Sequence, residues 1–225
     1  MKQIGLFSPG DNGPVTVLAF GAHPDDIEYG CGGSLAWLRS VLGKQLRLVY
    51  VLFSSGYPNY PERKEEAKHA ADMLGADRVD IFDYPDTLMP EHWSEIKDVM
   101  RQYVKSEDKI DVVLTHNRND LHQDHKTIAL NTLQVFRDHL ILEYEIPKYE
   151  GDLSTPNVYI PLADEFIERK VEILMKCYKS QQQGAQAHHW FSRDLFLSLA
   201  RIRGVEANCK FAEGFHGRKL LGGAL

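Results

Sequence analysis

Short apolar runs of strand length alternate with stretches of helical period along most of this chain, and that alternation constrains the fold more than any other feature. Residues 15–20 form an apolar run, β-branched near its start and followed by glycine and proline, which suits a buried strand. Leu35, Leu38 and Leu42 then fall at helical spacing with Gly43 behind them, so a helix is expected over 33–42. The pattern repeats. A strand at 46–53 precedes the stripe Ala67, Ala70, Ala71 and Leu74, closed by Gly75; a strand at 79–82 precedes a helix marked by Trp93, Ile96, Met100 and Tyr103. A strand at 111–115 leads to a helix over about 124–137, and beyond it the pattern loosens. Strands are expected at 140–146 and 158–160, then a helix carrying Ile167, Val171, Leu174 and Tyr178.

Strand alternating with helix implies right-handed crossovers and an α/β fold, a mainly parallel sheet with helices on both faces. Ligands of such sheets collect at the carboxyl ends of the strands. No internal repeat or linker interrupts residues 1–225, so one domain is expected. A formal net charge of -6 offers no basic surface for nucleic acid or an anionic membrane and favours a small-molecule partner. Cys31, Cys177 and Cys209 lie far apart without a CxxC pair, against a disulfide framework or a thiolate zinc knuckle. With no signal-like apolar run at the N-terminus and no membrane-spanning stretch, a cytoplasmic protein is expected. A homo-oligomer is compatible with all of this.

Two clusters carry chemistry. AHPDDIEYGCGG (22–33) follows the first strand, and DLHQDH (120–125) follows the fourth, so both sit at strand carboxyl ends. A catalytic zinc takes three N or O ligands and keeps one position for water. His23, Asp26 and His125 meet that count. A neighbouring carboxylate must take the proton of the attacking water, and Asp25 is placed for that task. Adjacent residues project in different directions, so one aspartate ligates and the other acts as base; spacing alone does not assign them.

With both clusters in this order, the chain resembles the LmbE-like or PIG-L-like metal-dependent N-deacetylases, whose signature is AHPDD with a downstream HxDH. The resemblance implies a Rossmann-like fold and removal of acetyl from an N-acetylglucosamine-type amino sugar. It further implies that His23, Asp26 and His125 bind Zn2+ (Fe, Co or Mn being alternatives), that Asp25 is the general base, and that His122 supports the oxyanion or protonates the amine, oriented by Asp124. RKEEAKHAADMLGA, YPDTLMP, YKSQ and FAEGF are weaker echoes; through the first two, Arg63 and Asp86 match positions that hold sugar hydroxyls. Gln123 stands where HPDH has proline.

Blander readings exist for each residue. The aspartates of 25–26 could cap a helix, and 122–125 could be an acidic helix start, but neither explains two histidine-bearing clusters together. Gly30, Gly32 and Gly33 do not form GxGxxG and are expected to permit close packing. Cys31 reads as a small buried residue, Arg63 as a solvated charge or a ligand with equal weight, and Glu28 as a partner of loop backbone. His188, His189 and Trp190 cluster without a tie to the metal. Two other functions remain: a metal-dependent hydratase of an unsaturated carboxylic acid, and a non-catalytic Rossmann-like module binding sugar or nucleotide.

Overall fold

Side-chain alternation along β1 (Val15–Gly21) decides which helix covers which face of the sheet. A computed structural model describes residues 5, 13–107, 109–183 and 187–220; the N-terminal segment read above for a leader lies outside them except for Gly5, Gly13 and Pro14. Val15, Val17 and Ala19 enter one apolar cluster with Leu35 and Leu38 of α1 (Asp26–Leu42), Ala67 and Ala70 of α2 (Glu62–Leu74), Val171 of α5 (Asp164–Cys177) and Phe196 of α6 (Arg193–Glu206). Leu18 and Phe20 enter the opposite cluster with Ile96 and Met100 of α3 (Trp93–Ser106) and Ile128 of α4 (Gln123–Val135). Every residue of β1 is buried, as a strand covered on both faces must be.

The sheet has seven strands in the order β3-β2-β1-β4-β5-β7-β6. β2 (Leu46–Leu52), β3 (Arg78–Ile81), β4 (Val112–His116) and β5 (Leu140–Tyr144) extend β1 in parallel. β7 (Phe211–Gly217) then pairs antiparallel with both β5 and β6 (Val158–Leu162). The chain winds outward from β1 in one direction through β2 and β3, then crosses to β4 and β5. The crevice above β1 and β4 is therefore the switch point of this α/β fold, the place where ligands of such sheets bind.

Two features depart from the sequence expectation. The first helix starts at Asp26, seven residues before 33, and is kinked at Cys31 (φ -145, ψ 16). The kink frees backbone donors, and Glu213 of β7 takes them: its carboxylate accepts from the N–H of Gly33 (3.0 Å) and of Ser34 (2.7 Å). The glycines do serve packing. A Cβ at Gly30 would run into the Tyr144 ring, and one at Gly33 would lie 2.5 Å from Leu162 Cδ1. The second departure is the C-terminal third, where α6 and β7 lie beyond the last expected element. β7 reads FAEGFHG, too polar and too rich in glycine to announce a strand; its place between β5 and β6 is decided by long-range pairing.

Candidate metal centre

The loop after β1 places the first cluster in the crevice. The ladder with β2 continues past the strand end, Phe53 and Ser54 donating to the carbonyls of Gly21 and Ala22 at 3.1 and 2.8 Å. Asp25 then adopts φ 95 at the N-cap of α1, a left-handed conformation costly for a non-glycine residue. That turn separates the two aspartates. Asp26 accepts from the His23 N–H (2.7 Å), with Oδ2 3.2 Å from His116 Nε2 and Oδ1 3.5 Å from His125 Nε2. Asp25 Oδ2, by contrast, is buried without a hydrogen-bond partner among the described residues.

The second cluster arrives from β4 and the start of α4. One ligand atom each of His23, Asp26 and His125 lies within 4.8 Å of the others, and the three residues are buried. Two overlapping groups, His23–His122–Asp124 and His116–Asp120–His125, satisfy the same distance. All three groups have other commitments. Asp120 Oδ2 sits 2.7 Å from His125 Nδ1, His116 Nε2 accepts the Ala22 N–H at 3.0 Å, and the Asp124 oxygens accept from Thr87 and Met89 N–H at 2.7 and 3.1 Å. The group His23, Asp26 and His125 is the one that joins both sequence clusters through buried residues alone.

This donor set fits a divalent cation. Two imidazoles and a carboxylate are borderline ligands of the zinc type, and the Asp120–His125 bond is the outer hydrogen bond that metal-binding histidines characteristically carry. The surrounding charge asks for a cation too. His23 Nε2 lies 2.9 Å from Asp86 Oδ1 and 3.0 Å from Asp124 Oδ2; burial alone would lower its pKa, but bonds to Asp124, Asp26 and Asp86 hold it well above the ordinary value. His23 thus keeps a proton where a metal would compete for it. Lys148 brings another positive charge, its Nζ 3.0 Å from His125 Nε2.

The remaining groups have contrasting electrostatics. Burial pushes Asp25 up to about 7, against the pull of Arg63. Asp26 is held well below the ordinary range because His125 and His116 outweigh its own burial. His122 is pushed down to about 4 by burial, then by Lys148 and His23, so its ring is neutral near pH 7. Its Nδ1 accepts the Asp124 N–H at 3.3 Å, which leaves the ring proton on Nε2. Asp124 meets His122 through this backbone bond, whereas its carboxylate is turned toward His23; α4 begins at Gln123, and its first turn aims the Asp124 side chain at the loop carrying Thr87.

Arg63 is buried, its Nη2 donating to Pro24 O at 2.7 Å and lying 3.6 Å from Asp25 Oδ1. Asp86 is half-buried, and the His23 hydrogen bond pulls it down to about 2 against the effect of burial. Glu28 does not hold loop backbone; its Oε2 accepts from Tyr178 OH (2.9 Å) and Tyr50 OH (3.3 Å). Cys31 is buried with its thiol pKa pushed well up by burial, the reverse of an activated nucleophile.

Residues 18–136, more than half of the chain, match the PIG-L family of GlcNAc-PI de-N-acetylases. The chain belongs to this family. It is 31% identical over 165 residues to the uncharacterized deacetylase YaiS of Escherichia coli (strain K12), spanning 71% of this chain and 89% of that protein. N,N'-diacetylchitobiose deacetylase of Pyrococcus horikoshii superimposes with a TM-score of 0.75 at 20% identity, covering 95% of this chain and 87% of its own. The 4-carboxy-2-hydroxymuconate hydratase GalB of Pseudomonas putida KT2440 does so with 0.71 at 20% identity, covering 94% and 99%. Among the described residues, no helix of this PIG-L chain is long and apolar enough to cross a membrane.

Sequence reasoning passed over three residues of the site. His116 closes β4, and its position at a strand carboxyl end was the available signal. Asp120 stands inside DLHQDH, five residues before the histidine it holds. Lys148 had no signal, because only the path of the chain after β5 brings it to His125.

Proposed function

We propose that this protein is a metal-dependent hydrolase that removes the N-acetyl group of an N-acetylglucosamine-type amino-sugar derivative and releases acetate. The observation that carries the proposal is the unpartnered, buried Asp25 Oδ2 beside the converging His23, Asp26 and His125. Those three residues would hold the cation, with zinc the first candidate and Fe, Co or Mn alternatives that the same donors accept. Bound there, such an ion supplies Lewis-acid polarisation of the amide carbonyl and makes water more acidic.

The chain supplies the proton traffic. Asp25, with a pKa near neutrality, accepts the proton of the attacking water and returns it to the nitrogen as the C–N bond breaks, so amide and water become amine and acetate. The Nε2–H of neutral His122 donates to the oxygen on which negative charge develops, a contact typically worth about 2.7–4 kcal/mol of activation free energy. Asp124 is a positioning residue, steadying His23 and the start of α4. Arg63 and Asp86, flanking Asp25 and His23, are assigned to sugar hydroxyls. Acetate release should vanish with a chelator, return with zinc, and be lost in Asp25→Ala; release insensitive to both treatments would refute the proposal.

A second reading has one specific support. Lys148 and Arg63 bring two cations to the same crevice, as a carboxylate substrate would require, and a hydratase shares the fold. Incubation with an unsaturated dicarboxylate separates the readings, since hydration consumes the double bond and liberates no acetate.

A further inference from the structure

Asp120 and Lys148 hold the same imidazole by its two nitrogens. Asp120 Oδ2 lies 2.7 Å from His125 Nδ1, and Lys148 Nζ lies 3.0 Å from His125 Nε2. An ammonium can only donate, so Nε2 accepts and the ring proton sits on Nδ1, facing the carboxylate. Nε2 is then the one nitrogen of this ring with a lone pair to offer, and a cation held by His125 must use it. That lone pair serves a single partner.

The chain after β5 is fastened on both sides of Lys148. Next to it, Pro147 O accepts from the hydroxyl of buried Tyr29 at 2.9 Å. Arg203 of α6, itself buried, donates to the two oxygens of Glu145 at 2.6 and 2.7 Å and to Ser154 O at 2.8 Å. Asp152 accepts the Leu121 N–H at 2.7 Å, which ties the same loop to the one after β4. Lys148 is thus carried to His125 by backbone that is anchored independently of its own contact. It stands half-buried at the mouth of the crevice, near enough for its charge to act on Asp25, Asp120, His116 and His122 as well.

We propose that Lys148 is a built-in rival of the metal: its ammonium competes with the cation for His125 Nε2 and sets the affinity of the centre below what His23, Asp26 and His125 would give unopposed. This rests on the reading of those three residues as the ligands. Two effects oppose the ion, since it must displace a charge-assisted hydrogen bond and must bind beside a like charge. Neither blocks binding, because a half-buried lysine that turns aside returns its ammonium to water. Occupancy of the centre then follows the free metal concentration instead of saturating at the lowest supply.

The test measures zinc affinity of the full chain by competition with a chromophoric chelator, for wild type, Lys148→Met and Lys148→Arg. Methionine keeps most of the side chain without its charge, and Lys148→Met should bind zinc about 10- to 100-fold more tightly, the range of a hydrogen bond to a charged group. At equal free zinc, below saturation, the Tm of this variant should also rise further than that of wild type. Lys148→Arg keeps the positive charge and should stay near wild type. Equal or weaker binding by Lys148→Met would overturn the rivalry, and so would an arginine variant that binds as tightly as the methionine one. Should Lys148→Met fail to unfold cooperatively, Lys148→Gln takes its place with the same expected direction and the same refutation. A wild type that binds no zinc would sink the metal centre itself, a failure read before any variant is compared.

Discussion

Asp120 holds the ring of His125 through a 2.7 Å contact between Oδ2 and Nδ1, which turns Nε2 toward Asp26 and Lys148. Carboxylates in this outer position typically contribute about 10- to 100-fold to metal affinity. Asp120→Ala should therefore weaken zinc binding by that order in a competition titration with a chromophoric chelator. Unchanged affinity would mean that His125 is oriented by something else.

The proposed function gives Asp25 the proton transfer and leaves ligation to Asp26. Asp25→Asn should retain stoichiometric metal by elemental analysis while kcat falls by roughly 10²- to 10⁴-fold, the usual contribution of a positioned base. Loss of the metal along with the activity would make Asp25 a ligand and reverse the assignment.

The same carboxylate sets a pH profile. Burial holds Asp25 up at about 7, and a neighbouring cation draws that value down because it favours the charged form. The base works when deprotonated, so kcat/KM should rise with pH and level off once pH passes a midpoint at or below about 7. An acidic limb centred well above neutrality would show that another group controls the reaction.

Metal should stabilise the fold, because a ligand that binds only the folded chain shifts the unfolding equilibrium. At a free zinc concentration 100 times Kd the gain is about 2.7 kcal/mol, readable as a rise in Tm. His125→Ala should abolish the rise, and an identical rise in that variant would place the ion elsewhere.

Glu213 stitches β7 to the kinked first helix and pairs with Lys170 Nζ at 2.7 Å, both side chains being 3% exposed. Glu213→Ala leaves a buried ammonium unpaired and should cost about 3–5 kcal/mol by urea denaturation. Replacing Lys170 with Met in the same protein should recover a substantial part of that loss. A double variant as unstable as the single one would show that the kink donors of Gly33 and Ser34, rather than the charge, dominate.

The parallel half of the fold was legible because its signals are local. Val15 to Phe20 and Leu46 to Phe53 are short, β-branched apolar runs that suit a buried strand better than a helix, and glycines 43 and 75 close the helices that follow. Glu213 shows why the C-terminal part was not. Its strand is held by residues 179 and 180 positions away in sequence and by Lys170, and no local periodicity encodes such partners.

The site divides along the same line. Residue chemistry and spacing, together with family resemblance, singled out His23, Asp25, Asp26, His122 and His125, since donors packed into two short clusters at strand ends reveal themselves without coordinates. Only the folded chain decided what holds each donor: Asp120 on His125, Asp124 and Asp86 on His23, Arg63 beside Asp25, and Lys148 at the mouth. Ligand identity follows from side-chain chemistry, which every residue carries with it. Orientation and protonation follow from distance and burial, which exist only once separate strands have been brought together.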